Sequence, residues 1–185
     1  MLRIIVFCVG LIALSAWAHA AGPCNASLIE NCTQAIGESS DKGERAKAYR
    51  WRGYAYFTKR EYDLAIADYT KAIEINPEYE VAYLLRGESY RDKGDYERAL
   101  ADVNEAIRIL PGNVAAYETL GSIYFLKGEY DRAIAEYNRA LAIDPEWSGA
   151  YCGRAGAYAK KGDKDRAEAD YEAADKWDEG GGCDR

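Results

Sequence analysis

Histidine and methionine are almost missing from this chain of 185 residues: there is one of each, Met1 and His19, and both fall in the first twenty positions. The body of the chain therefore lacks the usual general base and the usual metal ligand. Phenylalanine is scarce, with three copies, and proline occurs four times. The longest apolar run, Ile4 to Leu14, is eleven residues, well short of the roughly 20 that span a bilayer. Basic residues are outnumbered 24 to 31, for a net charge of −7 and a pI near 4.9. No electrostatic attraction would hold a phosphate backbone or an anionic membrane face, so neither nucleic acid binding nor membrane insertion is expected. Phosphate-binding glycine loops, G-x-S-x-G, H-E-x-x-H and C-x-x-C are all lacking. Carboxylates are plentiful, but most recur in helix-start or outward columns, where a solvated surface explains them. The chain reads as non-enzymatic, with no cofactor and no metal.

What is abundant is tyrosine, 16 copies, in a composition that is 49% hydrophobic and 30% charged. Before the tyrosines begin, Arg3, the apolar run Ile4 to Leu14 and the small residues of Ala18-His19-Ala20 form a secretory leader, with cleavage expected after Ala20. Export to the periplasm follows, with release from the cell as the other destination. Lipidation at Cys24 is not expected, because Pro23 stands where a lipobox needs a small residue.

A step of 34 residues organises the rest. Gly53, Gly87 and Gly121 share it, with Ala155 at the next step. Tyr49, Tyr83, Tyr117 and Tyr151 form one column, and Tyr56, Tyr90, Tyr124 and Tyr158 another. Ala65, Ala99, Ala133 and Ala167 form a third; Ala72, Ala106, Ala140 and Ala174 a fourth. Pro77, Pro111 and Pro145 close the first three of the units 46–79, 80–113, 114–147 and 148–181. Each unit holds two stretches with apolar residues at three- and four-residue spacing, parted by a short turn such as Lys93-Gly94-Asp95, which predicts two antiparallel helices. Asp63, Glu97, Asp131 and Asp165 open the second helices, where the helix dipole favours a negative charge.

Glycine, aromatic and alanine at these offsets, ending in proline, resemble the tetratricopeptide repeat over the 136 residues from 46 to 181. The resemblance implies an all-α, right-handed α-solenoid of four helix-turn-helix units. It also implies a concave groove, lined by the first helices, that binds a peptide or a segment of a partner protein. Carried over position by position, the groove residues are Lys47, Arg50, Trp51, Tyr54, Leu84, Leu85, Glu88, Arg91, Glu118 and Phe125, opening out at small residues such as Gly153 and Gly156. The subset of the family that clamps a C-terminal carboxylate is not matched: Arg50 fits, but Tyr54, Leu85, Ala115 and Thr119 hold the other clamp positions.

The array has readable ends. Ile66, Leu100 and Ile134 share a second-helix column that continues as Glu168; Ile73, Ile107 and Leu141 share another that continues as Asp175. Burying an unpaired carboxylate is costly, so no fifth repeat and a monomer are expected. Ser27 to Ile36 reads as a lone capping helix, with Gly37 to Gly43 a loop, so that residues 21–45 precede the first unit and 182–185 form a tail. Arg52, Arg86 and Arg154 each precede an aspartate by 16 residues (Asp68, Asp102, Asp170), which predicts an ion pair across each hairpin except the third, where Leu120 and Glu136 stand. Were these pairs exposed, each would contribute about 0–1 kcal/mol.

Without the leader, four cysteines remain, allowing three connectivities. Cys152 begins the first helix of unit four and Cys183 follows the end of its second, so the two should adjoin. Cys24–Cys32 and Cys152–Cys183 are the expected disulfides, since the ends of a solenoid lie too far apart for exchange. The sequons at Asn25 and Asn31 read as unused matches. The functional expectation is an interaction module of the cell envelope. A self-assembling scaffold subunit is the alternative.

Overall fold

The computed structural model describes residues 28–177 and Cys183, and among them the regular structure is entirely helical. In chain order the helices are α1 (Leu28–Glu38), α2 (Lys42–Thr58), α3 (Tyr62–Ile75), α4 (Glu80–Asp92), α5 (Tyr96–Ile109), α6 (Val114–Leu126), α7 (Tyr130–Ile143), α8 (Ser148–Lys160) and α9 (Lys164–Trp177). From α2 onward they alternate as first and second helix of a hairpin, the members of each hairpin packed together. Two compact units divide the chain, residues 1–77 with α1 to α3 and residues 78–185 with α4 to α9.

The repeated columns explain the hairpins. All eight alanines of the two alanine columns are buried, and the glycine column marks the closest approach. A Cβ at Gly53 would stand 2.8 Å from the ring of Tyr69, and one at Gly121 would stand 2.7 Å from that of Tyr137. Glycine here admits a second-helix tyrosine to the first-helix backbone. The first-helix tyrosines sit instead at the margin: Tyr83, Tyr90 and Tyr124 are half-buried against a cluster containing Leu84, Val103, Leu120 and Ile123.

The turns are built on one left-handed residue, Gly94, Gly128 or Gly162, and in the first hairpin on Arg60. Asp95 and Asp163 then cap α5 and α9, accepting from the backbone N–H of Arg98 and Arg166 at 3.2 Å. Those arginines donate back to the same carboxylates at 2.5 and 2.6 Å, which holds both carboxyls below the usual range. Their guanidinium groups lie 4.5 Å over Tyr90 and 4.4 Å over Tyr158. Arg132 likewise donates to Glu129 and lies over Tyr124, but Glu129 makes no side-chain cap bond.

The ion pairs form where the columns put them. Arg52, Arg86 and Arg154 each donate twice to the facing aspartate, at 2.6–2.7 Å. They lie deeper than an exposed pair, with the aspartates only 5–7% exposed, so the small contribution of surface pairs does not apply to them. In the third hairpin Leu120 is buried in the core and Glu136 accepts from Arg139 at 3.0 Å.

At the N-terminal end the loop is shorter than the spacing predicts, residues 39–41 only. Asp41 accepts from the backbone N–H of Glu44 at 2.8 Å, and this cap starts α2 four residues ahead of the repeat. α1 sets Cys32, Ala35 and Ile36 against Ala48 and Trp51 of α2. At the other end Glu168 and Asp175 are exposed on α9, and Cys183 lies with its Cα 5.4 Å from that of Cys152, the separation of a disulfide. Cys24, the leader, the Asn25 sequon and the remaining tail residues lie outside the described residues.

Candidate partner-binding face

Within the second unit the first helices α4, α6 and α8 approach one another in turn, and the second helices α5, α7 and α9 do not. The first helices therefore line the inner face of this unit, and polar side chains collect at their junctions. Between α4 and α6, Arg91 donates to the Ser122 hydroxyl at 3.2 Å and to Asp92 at 2.7 Å. The Thr119 hydroxyl donates to Glu88 at 3.3 Å. Burial pushes the Glu88 carboxyl above its usual range, and the nearby Arg91 cation and the Thr119 hydroxyl offset this only in part. At the next junction the Trp147 indole donates to Glu118 at 2.7 Å. The Tyr137 phenol is raised by burial and then by Glu118, against the pull of Arg91, so these groups share one electrostatic field.

The glycines of α8 do not leave the groove open, as the sequence suggested they would. A Cβ at Gly149 would stand 2.8 Å from the Glu118 Oε1. One at Gly153 would collide with the Tyr137 ring, and Gly156 abuts Phe125. Side chains from α6 and α7 thus fill the space that the small residues create. Phe125 also leans on Tyr130, ring centres 5.5 Å apart.

Leu84 must be struck from the partner-contacting residues. It is 7% exposed, packed with Ala99, Val103, Leu120 and Ile123, because its side of α4 meets α5 and α6. Leu85 beside it is half-buried. In the first unit Lys47 is exposed and pairs with Glu44 at 2.9 Å. Trp51 is half-buried against α1, with the Arg50 guanidinium 4.0 Å from its ring and Tyr54 edge-on at 6.4 Å. Tyr54 is 41% exposed. Trp51 is thus a packing residue that also contacts the half-buried Arg50 and the exposed Tyr54.

Family profiles described as Tetratricopeptide repeat match residues 46–79, 84–146 and 148–180. The chain belongs to the tetratricopeptide repeat family. No curated protein sequence matches it. Among solved structures, one crystal structure of MamA superposes with a TM-score of 0.69 at 21% identity, covering 94% of this chain and 96% of that one. A second MamA crystal structure gives 0.67 at 23% over 81% and 80%. The TPR domain of Arabidopsis OM64 gives 0.62 at 23% over 64% and 98%. At these identities the likeness is one of fold, and 289 solved chains share it, so it carries no partner with it.

Two features of this tetratricopeptide repeat array escape the groove positions taken from the family. Trp147 closes the third repeat where the first two end in Tyr79 and Asn113, so no column points to its bond with Glu118. The turn lysines do form a column: Lys127 bridges to Glu97 of the preceding repeat at 2.9 Å, and Lys161 bridges to Asp131. The matching 30-residue spacing stands in the sequence. Among the described residues, no helix is long and apolar enough to cross a membrane, and no group of three His, Cys, Asp or Glu is placed to hold a metal ion.

Proposed function

We propose that this tetratricopeptide repeat chain is a non-enzymatic interaction module that takes a peptide, or a segment of a partner protein, against its first helices. The observation that carries the reading is the inner face of the second unit, where Glu88, Arg91, Glu118 and Phe125 gather at the α4–α6 and α6–α8 junctions. Hydrogen bonds within the chain hold Glu88, Arg91 and Glu118, and the Tyr130 ring packs on Phe125, before a partner arrives, which lowers the ordering cost of binding. Arginine and aromatic residues are the usual anchors of such contacts, and in the first unit Arg50 and the exposed Tyr54 are of those types. The leader-like first twenty residues and the approach of Cys183 to Cys152 support an oxidising compartment, the periplasm, with Cys152–Cys183 and Cys24–Cys32 as disulfides, and the exposed Glu168 and Asp175 of α9 support action as a monomer.

A photo-crosslinking residue at Tyr54, and separately at Glu168 on the outer face of α9, tests this in the producing cell. Adducts are identified by mass spectrometry, and a synthetic peptide spanning the crosslinked segment is used as competitor. One discrete partner from Tyr54, absent from Glu168 and displaced by the peptide, is the expected result. Equal adducts at the inner and outer sites, or none at Tyr54 and none at Phe125 of α6 probed in the same way, would remove the first helices as the binding face.

A further inference from the structure

The first hairpin departs from the other three at its turn. Gly94, Gly128 and Gly162 hold left-handed backbone at φ 82°, 77° and 83°, and Arg60 holds the same place at φ 61°. No atom lies within 4 Å of a Cβ built on any of those three glycines, so packing there requires no side chain. Backbone sterics disfavour one. A strained, exposed arginine thus stands where the neighbouring repeats use glycine, and among the described residues no ion pair of its side chain accounts for it.

Two further departures surround it. Leu64 stands where Arg98, Arg132 and Arg166 reach back to the turn acid, and it is 48% exposed. Lys59 opens the turn as Lys127 and Lys161 do, but thirty residues before it stands Ile29 in place of an acidic partner. Lys59 and Arg60 are both exposed, and among the described residues neither forms an ion pair. Of the nearby acids, Asp63 is already engaged within the chain, and Glu61, exposed at the N-cap of α3, makes no side-chain cap bond and no ion pair with either cation among the described residues. The Phe57 and Tyr62 rings, 5.8 Å apart, flank the turn from its two helices. Two cations beside an uncovered leucine therefore face outward.

We infer that this turn is a second docking surface, separate from the first-helix face, for an acidic segment of a partner protein. Its carboxylates meet Lys59 and Arg60, and an aliphatic side chain covers Leu64. The charge pattern selects the partner's sign, and the leucine distinguishes it from a small anion.

The full chain is titrated by fluorescence anisotropy into a fluorescein-labelled peptide, DEELEDLLEE, with KKKLKKLLKK as the control. Binding of the acidic peptide alone, weakening with added salt, is expected. Lys59→Gln with Arg60→Gly should weaken it about tenfold, the loss of two exposed ion pairs. Leu64→Ser should weaken it about fivefold through the lost apolar contact. Arg60→Gly relieves the backbone, so its melting temperature should not fall and weaker binding cannot be laid to unfolding. No binding of the acidic peptide, or equal binding by the variants, would overturn the inference. So would binding of phosphatidylglycerol vesicles in its place, or concentration-dependent self-association that Arg60→Gly abolishes.

Discussion

Asp102 is almost entirely covered, and its charge is compensated by Arg86 donating to both carboxylate oxygens. Replacing Arg86 with leucine strips that carboxylate of its partner, and about 3–5 kcal/mol of stability should be lost. The third repeat shows a working substitute: Leu120 joins the core, and Glu136, one methylene longer than aspartate, reaches Arg139. Arg86→Leu with Asp102→Glu and Glu105→Arg, which supplies the counterpart of Arg139, should therefore recover part of the loss, read as urea midpoints at unchanged slope. The pairing is legible in the sequence because three repeats set arginine and aspartate 16 residues apart; its depth is not, since column spacing carries no measure of burial. Glu88 makes the opposite case. Its carboxyl titrates above its unfolded value of about 4.3, so between the two values the folded state binds the extra proton and stability falls as pH rises. Glu88→Gln should be the more stable protein at neutral pH. That advantage should shrink as pH falls through the raised value and vanish below the unfolded one, and urea unfolding of both proteins at several pH values checks it.

At the scale of elements, the turn of the first hairpin is the place where local chemistry and backbone disagree. Left-handed strain at Arg60 costs about 1–2 kcal/mol, and glycine's greater freedom in the unfolded chain would take back about 0.5–1. Arg60→Gly should therefore raise stability by roughly 0.5–1 kcal/mol, a shift of about 1–4 °C in a thermal melt. An unchanged or lowered melting temperature would show that Arg60 has contacts outweighing its strain. The proposed Cys152–Cys183 disulfide would act on the last hairpin: closing a loop of sequence separation 31 should add about 2–4 kcal/mol. Reduction should accordingly speed amide exchange first in α8 and α9. The hairpins themselves are legible, since helical spacing and the 34-residue step agree in every unit. The start of α2 is not: the Asp41 cap with Glu44 three residues on is a helix-start signal that lies ahead of the repeat phase. Leu84 and the filled space over Gly153 are illegible for a related reason. Position within a repeat says which helix a residue is on, but not which neighbouring side chain reaches it first.

For the molecule as a whole, the choice between an interaction module and a self-assembling scaffold turns on what the last helix offers. α9 exposes Glu168 and Asp175, in the columns where the preceding second helix carries Ile134 and Leu141, both half-buried. Stacking a second copy there would take two charged carboxylates out of water, and that desolvation cost opposes the association. Light scattering should accordingly report the monomer mass across a hundredfold range of concentration. Glu168→Ile with Asp175→Leu restores the apolar columns and uncovers a face that the repeat geometry is suited to bury, so this variant should associate as concentration rises. Growth of the unaltered chain would assign it to assembly. A variant that stays monomeric would show that the two carboxylates are not what ends the array.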